Sequence, residues 1–460
     1  MGAAAESTHV GAATEIVAPG RWPLLGHTPS LLRQRFSFTS SLRDAGELVK
    51  IYLGPMPAYL VTTPELVHEV LVTQAGKFEQ GILFDRFRPH LGNGVAMSNG
   101  SFHLRQRRLL QPAFHRERIA HYASTMVDAA VATSAEWQPG QVVEVYQAMQ
   151  QLAVTVLGKT LFATELGAAA IAEAQRSVPI LVKQVIVRAL SPGFLSALPI
   201  PGNRAFDAAI TRFRTVVTEV IAAARADGAD NGDLLSMLLL AKDADTGESM
   251  SDQQVYDEVV TILTGGTDTI GLALGWFFHE LGRHPEIEQR FHAELDEVLG
   301  GSSPTVEHLP RLTYTRQILN EVLRAYPIWL LMRRTNAEVD LGGTRLPAGT
   351  EIVYSPHALH HDPRNFPDPD RFDPDRWSPG RVAEIPKGAY VPFGAGVRQC
   401  IGNSFAQTEI ALVAATIATR WQLVPVPGKP VRIKVTGAAY PSQLPMTAQP
   451  RHPSQTPPKS

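Results

Sequence analysis

The chain has almost no cysteine, almost no net charge and no apolar run of membrane length. One Cys in 460 residues excludes an internal disulfide framework and fits a reducing, cytoplasmic setting. The 42 basic and 44 acidic residues leave a formal charge of −2, so nothing global calls for nucleic acid or an anionic membrane surface. No stretch reaches the roughly 18 apolar residues that a membrane span needs. Ile270 to Phe278, the longest candidate, is bounded by Asp268 and by His279-Glu280. Met1 to Ala18 lacks the basic start and apolar core of a signal peptide. The expectation is a soluble globular protein with a sizeable core.

Leu48 to Leu53 and Ala58 to Val61, either side of Gly54-Pro55-Met56-Pro57, predict a β-hairpin. Thr63 is placed to cap a helix opening at Pro64. Helical patterning then dominates to about residue 300. Its breaks fall at Gly92-Asn93-Gly94, Pro139-Gly140, Ser191-Pro192-Gly193, Pro199 to Gly202 and Asp227 to Gly232. Short strands return at Ala337 to Leu346 and beyond Trp421. There is no internal repeat and no linker. The pattern predicts a mainly α protein with small β-sheets, one domain over residues 19–448, and flexible tails at 1–18 and 449–460.

The lone Cys stands in Phe393-Gly394-Ala395-Gly396-Val397-Arg398-Gln399-Cys400-Ile401-Gly402. Its glycines permit tight bends that bring N–H groups towards one sulfur. An isolated Cys is most often a small buried hydrophobe, whereas a permanent thiolate ligand benefits from such donors. Upstream, Ser251-Asp252-Gln253-Gln254 forms a capping box, and nothing breaks the helical pattern before His284-Pro285. That helix would run for about 33 residues, roughly 50 Å. At its middle lies Gly265-Gly266-Thr267-Asp268-Thr269. Adjacent glycines cost about 1–2 kcal/mol of helix stability. With a hydroxyl bonding back to a carbonyl, they can open a bulge that admits water; a kink required by packing is the plainer alternative. Glu321-Val322-Leu323-Arg324 puts a carboxylate and a guanidinium on one helix face. Phe372-Asp373-Pro374-Asp375-Arg376-Trp377 follows about 50 residues later, and His103 and Arg107 lie one turn apart further upstream.

In order and spacing these motifs resemble the cytochrome P450 family over all but the tails. The resemblance implies the triangular, helix-rich P450 fold with a long central helix. It implies haem b as cofactor, with Cys400 as axial thiolate to the iron and Phe393 covering the sulfur. His103, Arg107, Arg333 and Arg398 would face the haem propionates; Arg334 is adjacent to Arg333, and many relatives carry Trp in place of His103. Thr269 would hydrogen-bond bound oxygen, Asp268 would feed protons from solvent, and Gly265 would leave room for oxygen and substrate. Glu321, Arg324 and Arg376 would form a structural triad behind the Cys loop.

The implied activity is monooxygenation with O2 and two electrons. No dinucleotide fingerprint is present and no chain is spare for a flavin domain, so a separate ferredoxin and ferredoxin reductase would be the donors. Arg105, Arg108, Arg116 or Arg118 would help form the receiving surface. The basic run that holds these arginines lacks aromatic interleaving, which sets nucleic acid aside. His279 and His284 are five apart, not on one helix face, so the zinc-protease pattern fails. By resemblance the pocket would be lined by Phe84, Phe87, Ile328, Trp329 and Leu330, all apolar. That lining, and a likeness to actinobacterial terpenoid oxidases of the pentalenene kind, points to a cyclic terpene, a sesquiterpenoid of secondary metabolism. The alternatives are a macrolide, polyketide or fatty-acid oxidase, and a non-catalytic haem sensor or carrier. A sensor or carrier would not need the Asp268-Thr269 pair.

Overall fold

Alternating apolar residues at Leu48–Leu53 (β1) and Met56–Val61 (β2) pair antiparallel, with Leu48 opposite Val61 and Leu53 opposite Met56. In this computed structural model, which describes residues 15–162, 165–190 and 198–451, the hairpin turn is therefore only Gly54-Pro55. Met56 and Pro57, assigned to the turn from sequence, belong to the strand. Proline is tolerated there because the next strand pairs with β2 only from Ala58 onwards, so no N–H is required on that side. Phe78–Gln80 (β3), Leu331–Thr335 (β4) and Glu351–Tyr354 (β5) complete a sheet in the order β1-β2-β5-β4-β3. A second sheet joins 142–144, 445–450 and 421–425. A small hairpin pairs Ile433–Val435 (β6) with Ala439–Pro441 (β7).

Among the described residues, ten helices of ten residues or more fill the rest. They are Ile82–Leu91 (α1), Gly100–Leu110 (α2), Arg116–Ala135 (α3), Val145–Leu161 (α4), Glu165–Leu190 (α5), Pro201–Asp227 (α6), Asp252–Arg283 (α7), Pro285–Leu299 (α8), Thr313–Ala325 (α9) and Asn403–Ala418 (α10). Pro201-Gly202, expected as a break, instead opens α6, since proline in a first turn lacks only an N–H that would be unpaired anyway. The break expected at Ser191-Pro192-Gly193 lies outside the described residues. Thr63 caps the short helix Pro64–His68 by accepting from the Leu66 N–H.

Helix α7 has 32 residues and spans about 48 Å. Its capping box is formed: Ser251 Oγ accepts from the Gln254 N–H at 3.3 Å, and Gln254 Oε1 from the Ser251 N–H at 2.8 Å. It ends at His284 because the following proline disfavours helical geometry in the residue before it. By length and composition α7 could cross a membrane, but 78% of its most apolar window is buried in the protein. It is the core helix, with Val255, Val259, Leu263, Leu274 and Phe277 packed into the main apolar cluster. The bulge anticipated at Gly265-Gly266 is not formed. The helix is continuous, and Thr269 Oγ1 donates back to Gly265 O at 2.8 Å without opening it. Close packing explains this: a Cβ on Gly266 would lie 2.7 Å from Leu157 of α4.

The ordered body is wider than 19–448. Glu15 pairs with Lys50 at 2.8 Å, and the Lys50 N–H donates to Ile16 O, which docks 15–18 on β1. Gln449 and Pro450 end a paired strand, and Arg451 meets Asp296 at 2.6 Å. Composition suggested tails here, and pairing partners far away in sequence order them.

Candidate active site

The Cys loop is held by its backbone. The Cys400 N–H donates to Phe393 O at 2.9 Å and the Gln399 N–H to Gly396 O at 3.0 Å. Gly396 has φ +66°, and a Cβ there would sit 2.1 Å from Leu71 O, so both conformation and proximity require glycine. The Cys400 side chain is accessible, yet the surrounding protein raises its pKa by desolvation; the Gly402 N–H and Arg107 pull it back down. An accessible thiol deep among protein atoms is what a concave site produces. Helix α10 leaves directly from this loop and packs on α7.

On α7, Gly265 and Thr269 are exposed while Leu263, Thr267, Asp268 and Ile270 around them are buried. A Cβ built on Gly265 would meet nothing within 4 Å. These two residues therefore open onto space at the middle of the core helix.

Three guanidinium groups gather near the loop. Arg107 Nη1 donates to Gln399 O at 2.7 Å, Arg398 to Ser98 O and Asn99 Oδ1 at 2.6 and 3.0 Å, and Arg333 to Gln80 Oε1 at 2.7 Å. Among the described residues none of the three has a carboxylate at salt-bridge distance. Burial, with Arg333 nearby, lowers the pKa of Arg398 to about 10. Arg334, the neighbour in register, points elsewhere and pairs with Asp85 at 2.8 Å and Glu351 at 2.7 Å. His103 adds no charge, because burial and Arg398 push its pKa down to about 4. It bonds Val95 O at 2.9 Å and faces Val397 O at 3.5 Å, linking the 92–97 turn to the Cys loop.

An accessible thiol, open space at Gly265 and three cations, Arg333 buried and Arg107 and Arg398 half-buried, without counter-anions among the described residues suit a flat, dianionic, metal-bearing cofactor. Haem fits that description: the thiol can ligate iron and the cations can meet two propionates.

Behind the loop, Glu321 Oε1 accepts from Arg324 Nη2 at 2.8 Å and from the Asp373 N–H at 3.0 Å. Oε2 accepts from Arg324 Nε and Trp377 Nε1, both at 2.9 Å. Arg376 Nε lies 3.6 Å away, beyond a good hydrogen bond, and Arg376 bonds Pro367 O at 2.8 Å instead. Trp377 is thus a partner of the carboxylate that the sequence motif did not single out. The network continues from Arg324 Nη1 to His360 O at 3.0 Å, and from His360 Nε2 to the Val391 N–H at 3.0 Å, two residues before Phe393.

Asp268 is also held by residues that sequence reasoning missed. Its Oδ1 accepts from Tyr146 OH at 2.8 Å and Gln150 Nε2 at 3.0 Å, and its Oδ2 from Tyr440 OH at 2.5 Å. No local motif could signal partners 118 to 172 residues away.

Two expectations change. Arg105 and Arg108 are engaged by Asp243, with Glu248 and Asp245 as second partners, so of the four arginines Arg116 and Arg118 are the two without such a pair among the described residues. Trp329 is enclosed in the cluster of Leu31, Phe38, Ile51 and Met332 behind the sheet, whereas Phe84, Phe87, Ile328 and Leu330 stay partly exposed.

Glu258 shows how α7 holds the neighbouring turn. It is fully buried, accepting from the Val95 N–H at 2.9 Å and from Gln106 Nε2 at 3.1 Å. Desolvation raises its pKa to about 8, from an ordinary value of 4.5. A carboxyl raised on folding costs stability as pH climbs from the unfolded value through the folded one. Glu258→Gln, which cannot ionise, should match the native protein near pH 4.5 and be more stable at pH 9 by about 2–4 kcal/mol. Urea midpoints across that pH range read this directly; parallel curves would refute it.

The fold and this site together suit a haem protein in which Cys400 would hold the iron. The comparisons with known proteins say which kind. Residues 17–447 match the family model "Cytochrome P450". The chain is 47% identical to cyclooctat-9-en-7-ol 5-monooxygenase of Streptomyces melanosporofaciens, covering 94% of this chain and 95% of the relative. It is 36% identical to pentalenene oxygenase of Streptomyces avermitilis, covering 95% and 98%. A crystal structure of the cytochrome P450DA haem domain superposes with TM-score 0.86 at 25% identity, over 96% of this chain and 99% of that one. The chain belongs to the cytochrome P450 family, and it is a P450 monooxygenase that requires haem.

Proposed function

We propose that the chain oxidises a cyclic terpenoid, a hydrocarbon or mono-alcohol of sesquiterpene to diterpene size. The observation that carries the reading is similarity over nearly the full length, at 47% and 36% identity, to two oxidases named for cyclooctat-9-en-7-ol and pentalenene. The pocket chemistry supports it. Phe84 and Phe87 on α1 meet edge to face at 6.2 Å, and Ile328 and Leu330 add apolar surface. Two arginines close by in the chain or sheet are already engaged, Arg88 with Asp85 and Arg334 with Asp85 and Glu351. An apolar lining favours an uncharged ligand over a fatty acid.

In this reading haem b supplies the activation of O2 and the transfer of one oxygen atom to a C–H bond. Cys400 holds its iron, and Arg107, Arg333 and Arg398 neutralise its carboxylates. Thr269, whose hydroxyl already bonds Gly265 O, presents a hydroxyl to the open space. Asp268, next to it, supplies protons to that side. Gly265 leaves room for oxygen and substrate. Ferredoxin and its reductase deliver the electrons to a face that includes exposed Arg116 and half-buried Arg118.

The test is a spectral titration of the ferric protein with cyclic sesquiterpenes and their alcohols, fatty acids and macrolides. A saturable low-spin to high-spin shift with the terpenoids alone is expected. A shift confined to acids or to macrolides would remove the terpenoid assignment and leave the monooxygenase in place.

A further inference from the structure

Asp268 does not stand free beside Thr269. It is buried on the side of α7 that faces α4 and β7, about 100° round the helix from Thr269. Three donors from two elements close on its two oxygens: Tyr146 and Gln150, one turn apart on α4, and Tyr440 on β7. The two phenol rings meet edge to face at 6.3 Å across the carboxylate. Both tyrosines are partly exposed, whereas Asp268 is not. A carboxylate with three donors is oriented as firmly as a side chain can be. It is also shielded, so any proton it gives up has to be replaced through its neighbours.

We infer that Tyr146 and Tyr440 are positioning residues for Asp268, orienting its carboxylate and reloading it with a proton after each turnover, with Gln150 completing the clamp. This rests on the reading of Asp268 as the proton supplier. In the reloading step a phenol O–H proton passes to a carboxylate oxygen while the phenol oxygen takes a proton from hydronium in the adjoining solvent, which is left as water. One proton moves inward and no electrons are exchanged. Burial and Asp268 itself raise the pKa of both phenols above the ordinary value, so they remain donors throughout the working range. Tyr440 also sits on the hairpin whose Ala438 bridges Ile328 and whose Gly437 O accepts from the Trp329 N–H, which ties the clamp to one edge of the proposed pocket.

The experiment compares the haem-loaded native protein with Tyr146→Phe, Tyr440→Phe, Asp268→Asn and the pairwise combinations. Asp268→Asn should lower kcat by about 100-fold. Each Phe variant should lower kcat by roughly 5–10-fold with KM and the substrate-induced spectral shift unchanged, and should enlarge the solvent isotope effect. In the Asp268→Asn background the Phe substitutions should cost nothing further. Independently of activity, Tyr440→Phe and Asp268→Ala should each lower the urea midpoint, and the double variant should lower it by less than their sum.

Native kcat in both Phe variants, with Asp268→Asn impaired, would overturn the clamp and leave Asp268 as proton supplier. A full-rate Asp268→Asn would overturn the underlying reading. A raised KM with unchanged kcat in the Phe variants would make the tyrosines packing residues, and that too refutes the proposal.

Discussion

Cys400→Ser is expected to abolish the thiolate-type ferrous–CO spectrum and to lower turnover by more than about 100-fold, beyond the 10–100-fold typical of losing an outer partner of a metal site. The exchange is nearly isosteric, and the loop does not depend on the sulfur for its shape. Its bends are set by Gly394 and Gly396, both near φ +66°, and by bonds from the Cys400 and Gln399 N–H groups to Phe393 O and Gly396 O. The variant should therefore fold, with a native far-ultraviolet spectrum and a similar urea midpoint for the haem-free chain. What it removes is a polarisable anionic donor that the Gly402 N–H and Arg107 are placed to stabilise. A serine hydroxyl has a much higher pKa and offers no equivalent charge. An unchanged ferrous–CO spectrum in a folded Cys400→Ser protein would refute the ligand assignment outright.

Glu321→Ala is expected to have the largest effect on stability. The carboxylate is fully buried and accepts four hydrogen bonds, from Arg324 twice, the Asp373 N–H and the Trp377 indole. Removing it strands Arg324, which is 1% exposed, without its counter-charge. Breaking a buried pair from one side costs about 3–5 kcal/mol, against a typical net stability of about 5–15 kcal/mol. A fall in Tm of roughly 3–5 °C should follow. Haem retention should fall with it, because the same network reaches Val391 through His360. Glu321→Gln, which keeps one accepting oxygen but loses the charge and turns a donor towards two N–H groups, should lie between. Differential scanning calorimetry together with the haem-to-protein absorbance ratio checks both. A Glu321→Ala protein with native Tm would show that the network is dispensable, and a lower Tm with full haem retention would separate fold stability from the loop.

Much of the architecture was legible along the chain. Ser251 and Gln254 announce the start of the core helix, and Pro285 its end, because capping and proline geometry act within three or four residues. The thiolate loop was readable for the same reason: glycine spacing around one cysteine is local backbone chemistry. Less legible was which long-range partner each charge would find. Arg333 and Arg334 are neighbours on an extended strand, so their side chains leave on opposite faces; only the packed sheet shows that Arg334 meets Asp85 and Glu351 while Arg333 does not. The anticipated bulge at Gly265-Gly266 was a fair reading of helix propensity, and contact with Leu157 overrode it.

The sequence by itself determined the class of chemistry: a single cysteine in a glycine-rich loop, and an acid and an alcohol adjacent on a long helix. The tertiary structure decided how that chemistry is controlled. It closed Tyr146, Gln150 and Tyr440 around Asp268, gave Arg105 and Arg108 to Asp243, enclosed Trp329 behind the sheet, and docked residues 15–18 and 449–451 onto the body. The physical reason is the range of the forces involved. Backbone preferences and caps are settled among near neighbours, whereas a buried charge takes whichever partner the packed fold brings within about 3 Å, wherever that partner lies in the chain.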